Sequence, residues 1–150
     1  MKIALISPLP NLGGTEKQVL ALTRLLTAKG HRVEVLGSPG PLTNDIATAA
    51  NAYRPLTATN IFRSAMGKGR VLLHCQMARC LPQAVLTKLL LRMRGRQTGL
   101  LWHARGIKGW TYPWVIVLCR VFGIVVIANC RDLPPLSGPV VLLVHGGPLV

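Results

Sequence analysis

Pro8-Leu9-Pro10-Asn11-Leu12-Gly13-Gly14-Thr15-Glu16 lies between an apolar run, Lys2 to Ser7, and a helix-forming segment. A strand, a glycine turn and a helix start in that order can form an anion pocket. The first backbone N–H groups of a helix lack partners inside it. The aligned peptide dipoles place partial positive charge at the same end. Glycine has no Cβ to hold a phosphate or sugar away from those groups.

The helix signals after the turn agree with one another. Thr15 suits an N-cap, and Gln18 three residues later completes a capping box. Val19, Leu22, Leu25 and Leu26 recur at helical spacing and predict one buried face, with Arg24 and Lys29 on the polar side. Gly30 supplies the stop. His31 to Leu36 then reads as a second strand. Residues 2 to 36 thus make one strand–helix–strand unit, which implies a parallel pair and a right-handed crossover.

Beyond this unit, Gly37 to Leu42 is a loop, and residues 44 to 66 are weakly patterned, with one or two short helices expected. Strands are predicted at Val71–His74, Leu100–His103, Ile124–Ala128 and Val140–Val144, and helices at Leu81–Arg94 and Pro113–Val121. Pro82 and Pro113 fit the first turns of those helices. The alternation predicts an α/β fold: a Rossmann-like, doubly wound, mainly parallel sheet in a single domain, with no internal repeat.

The 150 residues carry 18 Lys plus Arg against 4 Asp plus Glu, a formal net charge of +14, and half of them are apolar. The apolar content excludes a disordered chain. The charge implies anionic partners: phosphate-rich ligands, acidic lipid surfaces or nucleic acid. Four scattered cysteines (Cys75, Cys80, Cys119, Cys130) do not make a disulfide scaffold, and a reduced, cytoplasmic setting is the expectation. The apolar run after Lys2 is too short for a secretory signal. The stretch Tyr112 to Ala128 contains Pro113, Arg120 and Gly123, which favours a helix followed by a buried strand over a membrane span.

Met1-Lys2-Ile3-Ala4-Leu5-Ile6, then Gly13-Gly14-Thr15-Glu16, then Lys29-Gly30-His31-Arg32-Val33-Glu34-Val35, in that order, resemble the start of the retaining GT-B glycosyltransferases of family 4. Val71-Leu72-Leu73-His74-Cys75-Gln76, Leu101-Trp102-His103-Ala104-Arg105-Gly106, Val126-Ile127-Ala128-Asn129-Cys130 and Val141 to Pro148 continue the likeness down the chain. Two departures are Cys130, where the family usually has Ser, and His145-Gly146-Gly147, where it has an Asn-Gly turn.

The resemblance implies the N-terminal, acceptor-side half of a GT-B fold over residues 1–150. The C-terminal donor-binding domain, with its pair of glutamates, is absent from the sequence, since no carboxylate follows Asp132. It implies transfer of a sugar from a nucleoside diphosphate sugar to an acceptor, in glycolipid, lipopolysaccharide or polysaccharide biosynthesis, without metal or other cofactor. By the same resemblance Gly13 and Gly14 lie beside the donor diphosphate, His103 is the catalytic-site histidine, and His74 and Arg105 position the acceptor. Catalysis by this chain alone is not expected.

Each of these residues has a plainer reading. Gly13-Gly14 can be a tight turn, His74 a polar cap of the sheet, and Arg105 a surface charge. A metal site from His74, Cys75 and Cys80 has loose spacing and no second ligand pair. Gly67-Lys68-Gly69-Arg70 lacks the P-loop order, and no G-x-G-x-x-G is present.

Leu86 to Arg96 interleaves leucines with Lys88, Arg92, Arg94 and Arg96, the pattern of a helix that can lie peripherally on the anionic inner face of the cytoplasmic membrane. The plainer alternative packs its leucines on the sheet and solvates its charges. A basic nucleic-acid-binding module without catalysis is the rival class. Against it, the aromatics are few and do not interleave with the cations, and Trp110, Tyr112 and Trp114 cluster like a cleft rim.

Overall fold

The computed structural model describes residues 1–8, 14–66, 69–104, 112–128 and 140–142. Among these residues seven strands form one sheet: β1 (Lys2–Ser7), β2 (Arg32–Gly37), β3 (Ala52–Pro55), β4 (Val71–Cys75), β5 (Thr98–Ala104), β6 (Val125–Ala128) and β7 (Val140–Leu142). Their spatial order is β3-β2-β1-β4-β5-β6-β7, and every neighbouring pair is parallel. The predicted doubly wound α/β sheet is therefore present. The chain winds outward from β1 to β3, returns to pair β4 with β1, and winds the other way. The reversal between β1 and β4 is the switch point at which such sheets bind ligands.

Five α-helices among the described residues cover the sheet: α1 (Gly14–Ala28), α2 (Thr43–Ala49), α3 (Ala58–Ala65), α4 (Leu81–Met93) and α5 (Tyr112–Val121). Strand side chains alternate between faces, so each strand feeds two cores. Ile3, Leu5, Val33 and Val35 pack with Val19 of α1 and Ile46 of α2. Ala4, Ile6, Leu73, Leu100, Trp102 and Val126 belong to the opposite core, shared with Ile61 of α3, Leu81 and Leu91 of α4, and Cys119 of α5. Transfer of this apolar area from water drives the assembly, at roughly 25 cal/mol per Å².

The helix ends follow from local chemistry. Gly30 has φ +76°, and the His31 N–H donates to the Leu26 carbonyl at 3.0 Å, closing α1. Gly95 (φ +69°) and the Arg96 N–H to Leu91 carbonyl bond of 2.9 Å repeat that closure after α4. Both are Schellman ends, which need a residue tolerant of left-handed backbone. Thr57 caps α3 by accepting from the Asn60 N–H at 3.1 Å.

Three details differ from the sequence-based expectation. α1 begins at Gly14, so Thr15 lies inside the first turn and is not the N-cap. Leu25 is 53% exposed, while Thr23 is buried because its hydroxyl donates to the Val19 carbonyl at 2.7 Å and hides its own polarity. The segment 44–66 holds the short helices α2 and α3, but also β3, an edge strand of four residues ending in Pro55. A proline is tolerated there because an edge strand has a side free of ladder bonds.

One ionic cluster sits inside the sheet. Glu34 on β2 is buried and meets Lys2 Nζ at 2.9 Å, Arg32 at 3.6 Å and Arg54 at 3.9 Å. Burial alone raises its carboxyl pKa, but the Lys2 hydrogen bond and the surrounding cations outweigh this and hold it below the ordinary value.

Candidate functional site

The β4–β5 register fixes the central pair of the site. His74 sits opposite Leu101, and His103 follows two residues later on β5, so both imidazoles emerge on the α1 side of the sheet. Their centroids are 6.1 Å apart and their planes differ by 11°. Both rings are buried, at 7% and 6% exposure. Each is the penultimate residue of its strand, at the C-terminal edge where open α/β sheets take ligands.

Gln76 extends past β4, its N–H donating to the Ile6 carbonyl at 2.9 Å. Its side-chain nitrogen lies 3.2 Å from His74 Nε2. With the amide as donor, Nε2 accepts and the ring proton sits on Nδ1. Gln76 was legible as a polar residue directly after a strand at the switch point, yet the sequence reading gave it no role of its own.

The two imidazoles open into a cleft of about 270 Å³ whose other walls are Gln18, Leu22 and Leu25 of α1 and Ile127 of β6. Leu25, expected in the core, is thus a cleft wall. At the first turn of α1, a Cβ added to Gly14 would meet nothing within 4 Å. Packing among the described residues does not demand glycine there, and the space beside that backbone is open.

The chain leaving β1 is held at Pro8. Its carbonyl accepts from Arg79 at 2.8 Å and from the Ser38 hydroxyl at 3.4 Å. Arg79 thereby ties the exit of β1 to the segment after β4, across the switch point. Ser7 Oγ and Glu16 Oε2 are buried without a hydrogen-bond partner among the described residues. They flank a small void also lined by Tyr53.

The remaining sequence candidates divide as follows. Gly14, His74 and His103 are placed as described. Gly13 and Arg105, and with them Cys130 and His145, lie outside the described residues. The metal grouping of His74, Cys75 and Cys80 does not form: His74 faces α1, whereas Cys75 and Cys80 lie in the opposite core. Among the described residues no cluster of three or more His, Cys, Asp or Glu is arranged to hold a metal ion. Burial pushes the thiols of Cys80 and Cys119 up to about 11, and that of Cys75 further still.

The leucines of the basic helix divide between core and surface. Leu91 is buried, but Leu86, Leu89, Leu90 and Met93 are exposed. Three of the four cations are engaged by the protein. Lys88 Nζ donates to the Phe122 carbonyl at 2.6 Å, Arg94 lies 5.3 Å from the Phe62 ring centroid, and Arg96 donates to the Met66 carbonyl at 2.7 Å. Among the described residues no helix is long and apolar enough to cross a membrane.

Comparison with protein-family models, curated proteins and solved structures finds no match for this chain.

Proposed function

We propose that the chain is the acceptor-side domain of a retaining GT-B glycosyltransferase of the family 4 type. It serves transfer of a sugar from a nucleoside diphosphate sugar to an acceptor of glycolipid, lipopolysaccharide or polysaccharide synthesis. The observation that carries this reading is the stacked pair His74 and His103 at two strand ends, opening into a cleft beside α1.

The roles follow from the chemistry of the groups. Backbone N–H groups at Gly13 and Gly14 stabilise negative charge growing on the departing diphosphate. His103 orients the acceptor hydroxyl or the donor sugar. His74, held by Gln76, backs His103 and fixes its position. Arg105 supplies a cation for an anionic acceptor. By the family resemblance the donor diphosphate is neutralised by backbone dipoles and cations.

The test is calorimetric titration of the intact chain with uridine, guanosine and adenosine diphosphate sugars, alone and with candidate acceptors. Saturable binding that weakens at least about tenfold in His103→Ala supports the reading. Binding unchanged by that substitution, or no binding to any acceptor of the set with or without the donor sugars, refutes it.

Peripheral attachment to an anionic membrane belongs to the same proposal. Its support is the exposed row Leu86, Leu89, Leu90 and Met93 on α4, with Trp114, Val117 and Val121 exposed on α5. The two helices are joined through Lys88 and Phe122. Apolar side chains flanked by cations suit a lipid interface better than a nucleic acid, which asks for stacking aromatics. Flotation with phosphatidylglycerol vesicles that is lost in L90D/M93D supports attachment, and flotation unaffected by that pair contradicts it.

A further inference from the structure

A second concavity lies at the opposite edge of the sheet. This groove, of about 700 Å³, runs along the N-terminal ends of β4 and β5 and the last turns of α4. Arg70, Lys88, Arg92 and Arg96 line it, with Gln97 and Thr98 adding neutral hydrogen-bonding groups. None of the described residues lining it is acidic. The three described acidic side chains lie elsewhere: Glu16 at the α1 start, Glu34 inside its own ionic cluster and Asp45 on α2.

The groove is built rather than incidental. The Lys88 ammonium is fixed by the Phe122 and Gly123 carbonyls at 2.6 and 3.4 Å, and the Arg96 guanidinium by the Met66 carbonyl at 2.7 Å. Arg70 and Arg92 are exposed and complete the set. Lys88 and Arg92 are like charges one helical turn apart, an arrangement that costs stability unless an anion lies between them. Burial and the neighbouring Arg92 both push the Lys88 ammonium below its ordinary pKa. The wall at Gly99 carries no side chain, and a Cβ there would come within 2.9 Å of Leu72 Cδ1.

We propose that this groove is a binding site for a phosphate-bearing ligand, with Arg70, Lys88 and Arg92 as its cationic contacts and Thr98 as a neutral donor. Guanidinium groups bind phosphate through two parallel N–H bonds, and a fixed ammonium adds a point charge. The site is separate from the histidine cleft, at the other ends of the same strands, and it does not rest on the glycosyl-transfer reading.

The phosphate can belong to a soluble ligand or to a lipid headgroup, and the experiment separates them. Inorganic pyrophosphate is titrated into the intact chain and followed by the amide resonances of Thr98 and Gly99. In parallel, the chain is floated with phosphatidylcholine vesicles containing phosphatidylglycerol. R70Q/R92Q removes two exposed cations from the groove, and R24Q/R63Q removes the same charge elsewhere.

Saturable pyrophosphate shifts that weaken about tenfold or more in R70Q/R92Q and little in R24Q/R63Q support a site for soluble phosphates. Vesicle binding alone, with the same dependence on the two variants, supports a headgroup site. Equal losses in both variants mean diffuse attraction to a basic protein and overturn the proposal. Absence of binding to both probes overturns it as well.

Discussion

The imidazoles of His74 and His103 lie face to face on adjacent parallel strands, with ring centroids 6.1 Å apart and planes within 11°. The relationship follows from register: Leu101 pairs with His74, so the residue two places on shares its face at the same edge. Gln76 holds the His74 ring at 3.2 Å. Replacing Gln76 with Leu removes a polar partner from a buried histidine and is expected to cost on the order of 1 kcal/mol. Urea unfolding measures that loss, and the His74 ring resonances shift while the Gly14 amide does not.

Gly14→Ala separates packing from function. Nothing lies within 4 Å of the new Cβ, and its φ is not in the left-handed region. Stability is expected to stay the same or rise, by up to about 0.5–1 kcal/mol, because alanine is the better helix residue. Affinity for a nucleoside diphosphate sugar is expected to fall, since the methyl occupies the approach to the first helical turn. A variant that both folds and binds like wild type removes Gly14 from the site.

Gly37→Ala gives the contrasting result. Its Cβ would stand 2.9 Å from the Tyr53 hydroxyl and 3.1 Å from the Ser7 carbonyl oxygen, at the junction of β1, β2 and β3. The Tyr53 hydroxyl donates to the Ser38 carbonyl at 2.9 Å, so the ring cannot swing away without losing that bond. Thermal unfolding is expected to show a loss of about 1–3 kcal/mol.

Glu34 makes stability sensitive to acid. Its folded pKa lies below the ordinary value of 4.5, so the folded state binds fewer protons than the unfolded state in that range. The contribution is complete above pH 4.5 and is lost as pH falls through the folded value. Glu34→Gln leaves Lys2, Arg32 and Arg54 facing one another and is expected to cost on the order of 3 kcal/mol at neutral pH. The gap between wild type and variant, measured by denaturant unfolding, narrows below pH 4.5. A gap that stays constant with pH contradicts the ionic reading of the cluster.

The three described cysteines are expected to resist alkylation. With Cys80 and Cys119 near 11 and Cys75 higher, less than about a thousandth of each thiol is thiolate at pH 8. Peptide mapping after iodoacetamide treatment should find all three unmodified in the native protein and modified in urea. Fast native labelling of Cys80 would show that the segment after β4 opens.

Much of this fold is legible because the first 36 residues obey short-range rules. Apolar runs, a glycine turn, a helical period and a glycine stop each point to the same strand–helix–strand unit. β3 escaped because four residues ending in Pro55 carry no alternation, and their strand state comes from pairing with β2. Leu25 escaped for a different reason: helical spacing identifies an apolar face but not whether a strand lies under all of it. The same blindness hid the exposed leucines of α4. Within the candidate site, His74 and His103 were visible as strand-end histidines, but their stacking depends on the β4–β5 register, which no local pattern encodes. The basic groove was invisible for that reason too, since Arg70 and Arg92 come together only through the sheet.

Occupancy of the histidine cleft is best measured with the groove disabled. A nucleoside diphosphate sugar is titrated into nitrogen-labelled R70Q/R92Q protein and read at the ring nitrogens of His74 and His103 and at the Gly14 amide. The expected result is a saturable shift at all three positions with a common dissociation constant. If uridine, guanosine and adenosine diphosphate sugars at millimolar concentration, and candidate acceptors added with them, move none of the three positions, the cleft binds neither substrate and the glycosyl-transfer reading is wrong.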